Sequence, residues 1–336
     1  MKKSLIALAV LAASGAAMAQ SSVTLYGVAD IGFARVDNGT NVVNRLDSGN
    51  LNGSRWGLRG VEDLGGGLKA IFTMESGFLL DTGAQADSAR MFNRQSFVGV
   101  SSGFGTVKLG RQMNALYSNA SSFDPFNNAL AGDSSRLLNY QGSRTDNAIT
   151  YAYAASGFRG EVQYALGEVA GNNTASRTIG GFVGYKAGPI DVVLTSQDTR
   201  NAADTASTKV TLLGGNYDFG IAKAFLAYDV EKGFGVTDRR HAIVGAAVPL
   251  GAGTVKVSYI KRQDKTAGVA KGNAQQYAIG YTYDLSKRTA LYTSYSHLDN
   301  DANANAGTTG AHAAAPFTVG FDKTVKVFDM GVRHSF

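Results

Sequence analysis

The last twelve residues, Val325–Phe336, constrain the fold most strongly, because their apolar side chains recur at every second position. The two alternating rows are Phe328, Met330, Val332, His334 and Phe336, and Asp329, Gly331, Arg333 and Ser335. A period of two places one row on each face of a β-strand. A transmembrane β-barrel accounts for this pattern, because lipid contacts the apolar row and an aqueous lumen contacts the polar row. The closing edge strand of a soluble β-sandwich is the alternative.

The start of the chain has the organisation of a secretory signal peptide. Two lysines are followed by an apolar stretch and by the small-residue sequence Ala17-Met18-Ala19. We predict cleavage between Ala19 and Gln20, which makes residues 1–19 the signal peptide and residues 20–336 a single β-barrel domain. The chain is then an exported bacterial protein.

Composition argues against several classes of protein. Beyond the signal peptide, no apolar stretch reaches the ~18 residues that a membrane-spanning helix needs. The chain has no cysteine, so the exported fold relies on no disulfide and on no thiolate-bound metal. Its formal net charge is +6, but the lysines and arginines are dispersed without stacking aromatics between them. We therefore expect no nucleic-acid partner.

Short turn signals alternate along the chain with long polar stretches rich in Asn, Asp, Gly and Thr. The seven short turns are at residues 62–67, 102–105, 155–158, 187–189, 217–220, 249–253 and 284–287. The eight long stretches are residues 37–52, 80–89, 112–143, 167–176, 199–207, 233–238, 264–272 and 299–322. Seven turns plus eight loops give fifteen connections, and hence about sixteen strands. The predicted fold is all-β, a sixteen-stranded antiparallel transmembrane β-barrel with short periplasmic turns and long extracellular loops.

Several segments, in order along the whole chain, resemble the general porins of β-proteobacteria. They are residues 20–30 (QSSVTLYGVAD), 54–60 (SRWGLRG), 62–70 (EDLGGGLKA), 105–111 (GTVKLGR), 284–292 (DLSKRTALY) and 331–336 (GVRHSF). The resemblance implies a water-filled outer-membrane channel for passive diffusion of small hydrophilic solutes, with no enzymatic activity and no cofactor. It also implies that the third extracellular loop, here residues 112–143, folds inward and narrows the pore.

The resemblance also implies the partners of the chain. Three copies form a homotrimer, in which loop 80–89 reaches over a neighbouring subunit; alternatively, this segment is a solvated surface loop. The outer face contacts outer-membrane lipids and lipopolysaccharide, and the assembly machinery recognises the C-terminal strand that ends at Phe336. Small hydrophilic solutes and inorganic anions pass through the pore.

Arginines are the candidate determinants of ion selectivity. An anion-selective relative stacks three arginines at its constriction, and the matching positions here are Arg55, Arg94 and Arg144. Guanidinium groups stay charged at any relevant pH, and a close row of them favours anions over cations. Arg59 shares a strand face with Arg55 and is a further candidate. Alternatively, carboxylates across the lumen neutralise these arginines. Asn93 stands where that relative has a lysine, which predicts weaker selectivity.

Two acidic residues of loop 112–143, Asp124 and Asp133, are candidates for the opposite side of the constriction. Carboxylates facing an arginine wall create a transverse field that orients dipolar solutes. Asp124 precedes Pro125, so it can instead cap a turn within the loop. The residues alone leave both readings open.

Other functions are weighed against the channel. A structural or adhesive outer-membrane barrel is one alternative. An outer-membrane barrel hydrolase is another, because His297 and Asp299 share a strand face, but Ser294 falls on the opposite face. The four histidines have no ligand spacing, so no metal site is predicted, although loop carboxylates can hold Ca²⁺ loosely.

Overall fold

The computed structural model describes residues 22–233, 237–307 and 319–336; the predicted cleavage site between Ala19 and Gln20 lies outside these residues. Seventeen β-strand segments form one antiparallel sheet. They are β1 Ser22–Asp37, β2 Val42–Ser48, β3 Arg55–Gly65, β4 Leu68–Gly77, β5 Gln95–Ser102, β6 Gly105–Met113, β7 Arg144–Ala155, β8 Phe158–Ala165, β9 Thr178–Ala187, β10 Ile190–Arg200, β11 Ser207–Asp218, β12 Lys223–Gly233, β13 Thr237–Leu250, β14 Gly253–Asp264, β15 Ala274–Asp284, β16 Thr289–Asn300 and β17 Val325–Ser335. An α-helix, α1 Ala115–Ser122, and a 3₁₀-helix, Ser134–Arg136, lie between β6 and β7.

The first two short segments share one position in the wall. Residues 31–37 of β1 pair with β2, and residues 22–28 of β1 pair with β3. Seventeen segments therefore fill sixteen positions, and β1 also pairs with β17, so the barrel is closed and sixteen-stranded as predicted. The prediction of a loop over residues 37–52 is wrong in part, because Val42–Ser48 forms a strand that extends the ladder on β1.

Alternation along the strands sorts apolar side chains to the outer face. On β17, Phe328, Met330 and Val332 are exposed, whereas Asp329 is fully buried and accepts a hydrogen bond from Ser294 Oγ at 2.6 Å. Strand β1 presents Leu25 outward in the same way, at 62% exposure. This is the arrangement that a lipid-facing exterior and a polar interior require.

The last residue takes part in closing the barrel. The N–H of Phe336 donates to the Gly27 carbonyl, and the N–H of Gly27 donates to the Phe336 carbonyl, both at 3.0 Å. A β-carbon at position 27 would collide with the Phe336 ring, so glycine there gives the ring its place against β1. The pairing satisfies backbone groups that an open edge would leave exposed.

Loop 112–143 enters the barrel and packs against one side of its interior. Asn114 caps the N-terminus of helix α1, because its Oδ1 accepts a hydrogen bond from Tyr117 N at 2.6 Å. The apolar cluster that holds it combines loop and wall residues, among them Leu116, Ala120, Phe123, Val193, Leu212 and Ile243. Burial of each large apolar side chain stabilises the arrangement by about 1.5–3 kcal/mol. No helix in the described part of the chain is long and apolar enough to cross a membrane.

The remainder of the loop is fixed to distant parts of the wall by hydrogen bonds. These run from Leu130 N to Asn50 O (2.7 Å), from Ala131 N to Ser294 Oγ (3.0 Å), from Arg136 Nη1 to Ser296 Oγ (2.6 Å) and from Gln276 Nε2 to Gly132 O (3.1 Å). The loop is thus fixed to the inside of the wall at several points that are far apart in the chain.

Candidate functional site

Three arginines lie along one side of the lumen and are connected to one another. Arg55 begins β3, Arg94 immediately precedes β5, and Arg144 begins β7. Arg94 Nε lies 2.8 Å from Glu75 Oε1, and Arg55 Nε lies 3.5 Å from Glu75 Oε2. Arg144 Nε donates to the Arg94 carbonyl at 2.8 Å. The three residues singled out from the sequence therefore form one group.

Glu75 is the member of this group that sequence reasoning missed. It lies on β4, paired with Gly57 on β3 and with Gln95 on β5. Only 4% of the residue is exposed, and it also accepts a hydrogen bond from Tyr26 Oη at 2.9 Å. The register of β3 against β4 would have revealed it, because that register puts Glu75 on the face of Arg55. Glu75 pairs with two of the three guanidiniums and is the one carboxylate in the group, so the group keeps a positive charge.

Arg59 lies on the same face of β3 but outside this group. It is exposed, and its guanidinium carbon lies 5.2 Å from the centroid of the Tyr26 ring. A guanidinium over an aromatic face is attracted by the electrons of the ring and keeps its charge. Arg59 is thus a separate lumen cation, two positions along β3 from Gly57.

A second set of charges lies beside the three arginines. Asp146 pairs with Arg111 Nη1 through Oδ1 and with Arg90 Nη2, at 3.3 Å, through Oδ2. Arg90 also pairs with Asp87 at 3.0 Å, and Arg111 Nε donates to the Asn93 carbonyl at 2.7 Å. Here cations and anions are matched in number, so this set contributes little net charge. Sequence reasoning could not find this set, because its members come from three separate segments.

Asp124, for which the sequence left two interpretations open, lies inside loop 112–143. Its side chain is fully buried, and Oδ1 accepts a hydrogen bond from Phe126 N at 2.9 Å. Oδ2 accepts from Asn128 N and from Ser134 N, each at 3.1 Å. These backbone donors have to be satisfied inside the folded loop, and a short acidic side chain supplies the acceptors. The turn-capping alternative is therefore the better description of Asp124.

Asp133 is withdrawn from the lumen for a similar reason. It is 2% exposed, and its Oδ1 accepts a hydrogen bond from Ser135 N at 2.8 Å, which caps the 3₁₀-helix. The two loop carboxylates organise the loop rather than line the opening. The only carboxylate among the residues proposed here for the constriction is Glu75, on the arginine side.

The buried carboxyl of Asp124 makes the loop sensitive to pH. Burial raises its pKa from 3.8 to about 6, against the opposing effect of the backbone donors. The folded state then binds the proton more tightly than the unfolded state, so stability falls as the pH rises from about 4 to about 6. We expect a loss of roughly 3 kcal/mol over this window, since one pKa unit corresponds to about 1.36 kcal/mol.

Thermal unfolding midpoints measured between pH 4 and pH 7 check this expectation. Asp124→Asn removes the titrating group, so its midpoint should change less across the window than that of the wild type. Ser122→Ala, at an exposed loop position, should keep the wild-type profile. Parallel profiles for wild type and Asp124→Asn would contradict the assignment.

The histidine pair that suggested a hydrolase lacks a nucleophile. His297 Nε2 and Asp299 Oδ1 lie 2.8 Å apart, with more than a third of each side chain exposed. Ser294 is on the other face of β16, where it is buried and bonded to Asp329. The described residues also include no group of three or more His, Cys, Asp or Glu side chains suited to a metal ion.

Comparison with known proteins places this arrangement among porins. The sequence model described as Gram-negative porin matches residues 5–303. Outer membrane porin protein 32 of Delftia acidovorans is 37% identical, with all of both chains aligned. An outer membrane porin of Bordetella pertussis is 35% identical over 90% of this chain and 95% of its own. The solved anion-selective porin from Comamonas acidovorans superposes with a TM-score of 0.83 at 31% identity, covering 94% of this chain and 100% of that one. OmpT of Vibrio cholerae, solved as a trimer, shares the fold at 16% identity, covering 94% and 99%, with a TM-score of 0.76.

Proposed function

The chain belongs to the Gram-negative porin family and forms an outer-membrane channel for passive diffusion, and we propose that this channel prefers anions. The observation that carries the proposal is the connected row of Arg55, Arg94 and Arg144 beside a single carboxylate. The anion-selective porin from Comamonas acidovorans, 31% identical, supports the same preference.

The physical argument rests on unbalanced charge in a narrow passage. Loop 112–143 packs its apolar side chains against the wall formed by later strands, so we propose that permeating ions pass along the strands that carry the arginines. Cations near the path lower the energy of an anion and raise that of a cation. Glu75 offsets one of the three guanidiniums, so we propose a moderate preference rather than exclusion of cations.

The reversal potential of the purified protein in a planar bilayer under a KCl gradient tests the proposal. We expect a potential of the sign that chloride permeation produces, and a smaller one at high salt because screening shortens the reach of the arginines. A potential of the cation sign would overturn the anion preference while leaving a channel. Absence of conductance steps would favour the structural or adhesive alternative.

We also propose that the functional unit is a homotrimer. Leu79, Leu80 and Met91 are exposed on the otherwise polar loop between β4 and β5, at 38%, 37% and 64%. A neighbouring subunit reached by this loop, including residues 80–89, would cover these apolar side chains. Insertion of a trimer gives conductance that closes in steps of one third, which the same bilayer recordings detect.

The outer surface supports the remaining proposed partners. The lipid-facing row includes exposed tyrosines such as Tyr151, Tyr153 and Tyr277, which suit the interfaces of the outer membrane with its lipids and lipopolysaccharide. The exposed Phe336 ends the strand that we propose the assembly machinery recognises. Cleavage between Ala19 and Gln20 remains part of the proposal.

A further inference from the structure

A charged cavity lies beside the arginine row, between loop 112–143 and the extracellular ends of β12, β13 and β14. It has a volume of about 470 Å³. The wall contributes Glu231, Arg239 and Arg262, and the loop contributes Tyr117 and Ser143, among others. The function proposed above does not use the charged wall residues.

The charged wall residues of this cavity alternate in sign across the sheet. Arg239 on β13 is opposite Glu231 on β12 and opposite Asp264 on β14. Its ion pairs are loose, at 3.9 Å to Glu231 Oε2 and 3.5 Å to Asp264 Oδ2. Arg239 is therefore shared between two carboxylates and fully occupies neither of them.

Two side chains of opposite charge at this cavity, Arg262 and Glu231, have polar atoms that can still form hydrogen bonds or ion pairs with a ligand. Arg262 Nε donates to the Gly272 carbonyl at 3.0 Å, and within the described residues its Nη atoms have no hydrogen-bond partner. Glu231 Oε1 accepts from Asn139 Nδ2 at 2.7 Å, but the nearest cation to Oε2 is Arg239 at 3.9 Å. A guanidinium edge and a carboxylate oxygen are thus both available to a ligand.

We propose that this cavity binds small zwitterionic solutes, in particular free α-amino acids. The carboxylate of the solute pairs with Arg262, whose forked donors suit it, and the ammonium group pairs with Glu231. A solute with only one charge satisfies one partner and leaves the other desolvated, which is unfavourable. The rings of Tyr117 and Tyr140, 5.9 Å apart and nearly perpendicular, flank the site with aromatic surface.

The position of the cavity relates this site to permeation, so the inference rests on the proposed channel function. Ser143, which lines the cavity, accepts a hydrogen bond from Arg144 Nη1 at 2.7 Å. The cavity therefore adjoins the arginine row at Ser143. Binding there raises the local concentration of amino acids before they enter the constriction.

Block of single-channel current tests the site. L-Alanine, added on the side of the extracellular loops, should lower the KCl conductance in a saturable manner. Propionate, which lacks the ammonium group, and ethylamine, which lacks the carboxylate, should bind at least about tenfold more weakly, the factor that corresponds to the loss of one charge-assisted contact. Arg262→Gln and Glu231→Gln should each weaken alanine block by about tenfold.

Lys261→Gln is the matched control, because this exposed lysine is adjacent to Arg262 in sequence but on the outer face of β14. It should leave alanine block unchanged. Equal effects of Arg262→Gln and Lys261→Gln, block by propionate as strong as that by alanine, or no block by alanine would each overturn the inference. Arg262→Lys keeps the positive charge but loses the forked guanidinium donors, so it should weaken alanine block by an intermediate factor. This variant tests the site even if Arg262→Gln fails to insert into the bilayer.

The reversal potential in a KCl gradient, recorded on the same channels without alanine, separates this inference from the proposed anion preference. Anion preference without alanine block would contradict the proposed zwitterion site and leave the proposed selectivity in place. Alanine block in a channel without anion preference would sink only the proposed selectivity.

Discussion

Replacing Arg94 by glutamate should shift the reversal potential strongly toward the cation sign. The substitution changes the charge at the centre of the row by two units and puts a second carboxylate beside Glu75. A change of two unit charges at ~5 Å in water raises the energy of an anion by roughly 1.6 kcal/mol and lowers that of a cation by as much, so we expect the anion-to-cation permeability ratio to fall by on the order of a hundredfold. Bilayer recordings under a KCl gradient measure this ratio directly.

Lys326→Glu provides the control for charge alone. Lys326 is exposed on the outer face of β17, in the row of Phe328 and Met330, so the same change of two units occurs away from the lumen. Its reversal potential should stay at the wild-type value. If Arg94→Glu also leaves the potential unchanged, the arginine row does not set the selectivity.

Glu75→Gln should change selectivity in the opposite direction. Glutamine keeps the shape of the side chain and its hydrogen bonding to Tyr26, but the charge that offsets Arg55 and Arg94 is lost. Removal of one negative unit charge at ~5 Å lowers the energy of an anion by roughly 0.8 kcal/mol and raises that of a cation by as much, so we expect the anion-to-cation permeability ratio to rise by about fifteenfold. The paired guanidiniums then repel each other without compensation, and the thermal unfolding midpoint should fall as well.

Glu62→Gln controls for the loss of a negative charge elsewhere on β3, because Glu62 belongs to the outward row of Trp56 and Leu58. Glu62 is exposed near the turn that ends β3, away from the arginine row. It should leave both the permeability ratio and the midpoint close to wild type. A Glu75→Gln channel with unchanged or lowered anion preference would show that Glu75 does not offset the arginines.

The barrel was predictable because its signals are local. Period-two alternation in β1, β15 and β17 depends only on neighbouring residues, and turn residues mark where strands end. The prediction missed the strand Val42–Ser48 and assigned it to a loop. These seven residues lie in a polar stretch of sequence that has the composition of a loop. The arginine row was predictable only through the resemblance to porins, because Arg55, Arg94 and Arg144 are far apart in sequence.

The rest of the site depends on register and on the path of a loop, which a single sequence does not encode in an obvious way. Glu75 meets Arg55 because of how β3 pairs with β4. Asp124 and Asp133 are turned inward by the backbone donors of their own loop. An acidic residue in a predicted pore loop is equally compatible with lining the opening and with capping a turn.

The attachment of loop 112–143 has a consequence for how the protein folds. Two of its hydrogen bonds, from Ala131 to Ser294 and from Arg136 to Ser296, join residues separated by 163 and 160 positions in the chain. Contacts between such distant residues carry a high entropic cost until the intervening strands have paired. The loop therefore reaches its final position late in folding, when β16 has paired with its neighbouring strands. Until the loop is in place, the lumen of the barrel is wider than the pore of the finished channel. Narrowing of the pore is thus one of the last steps of folding.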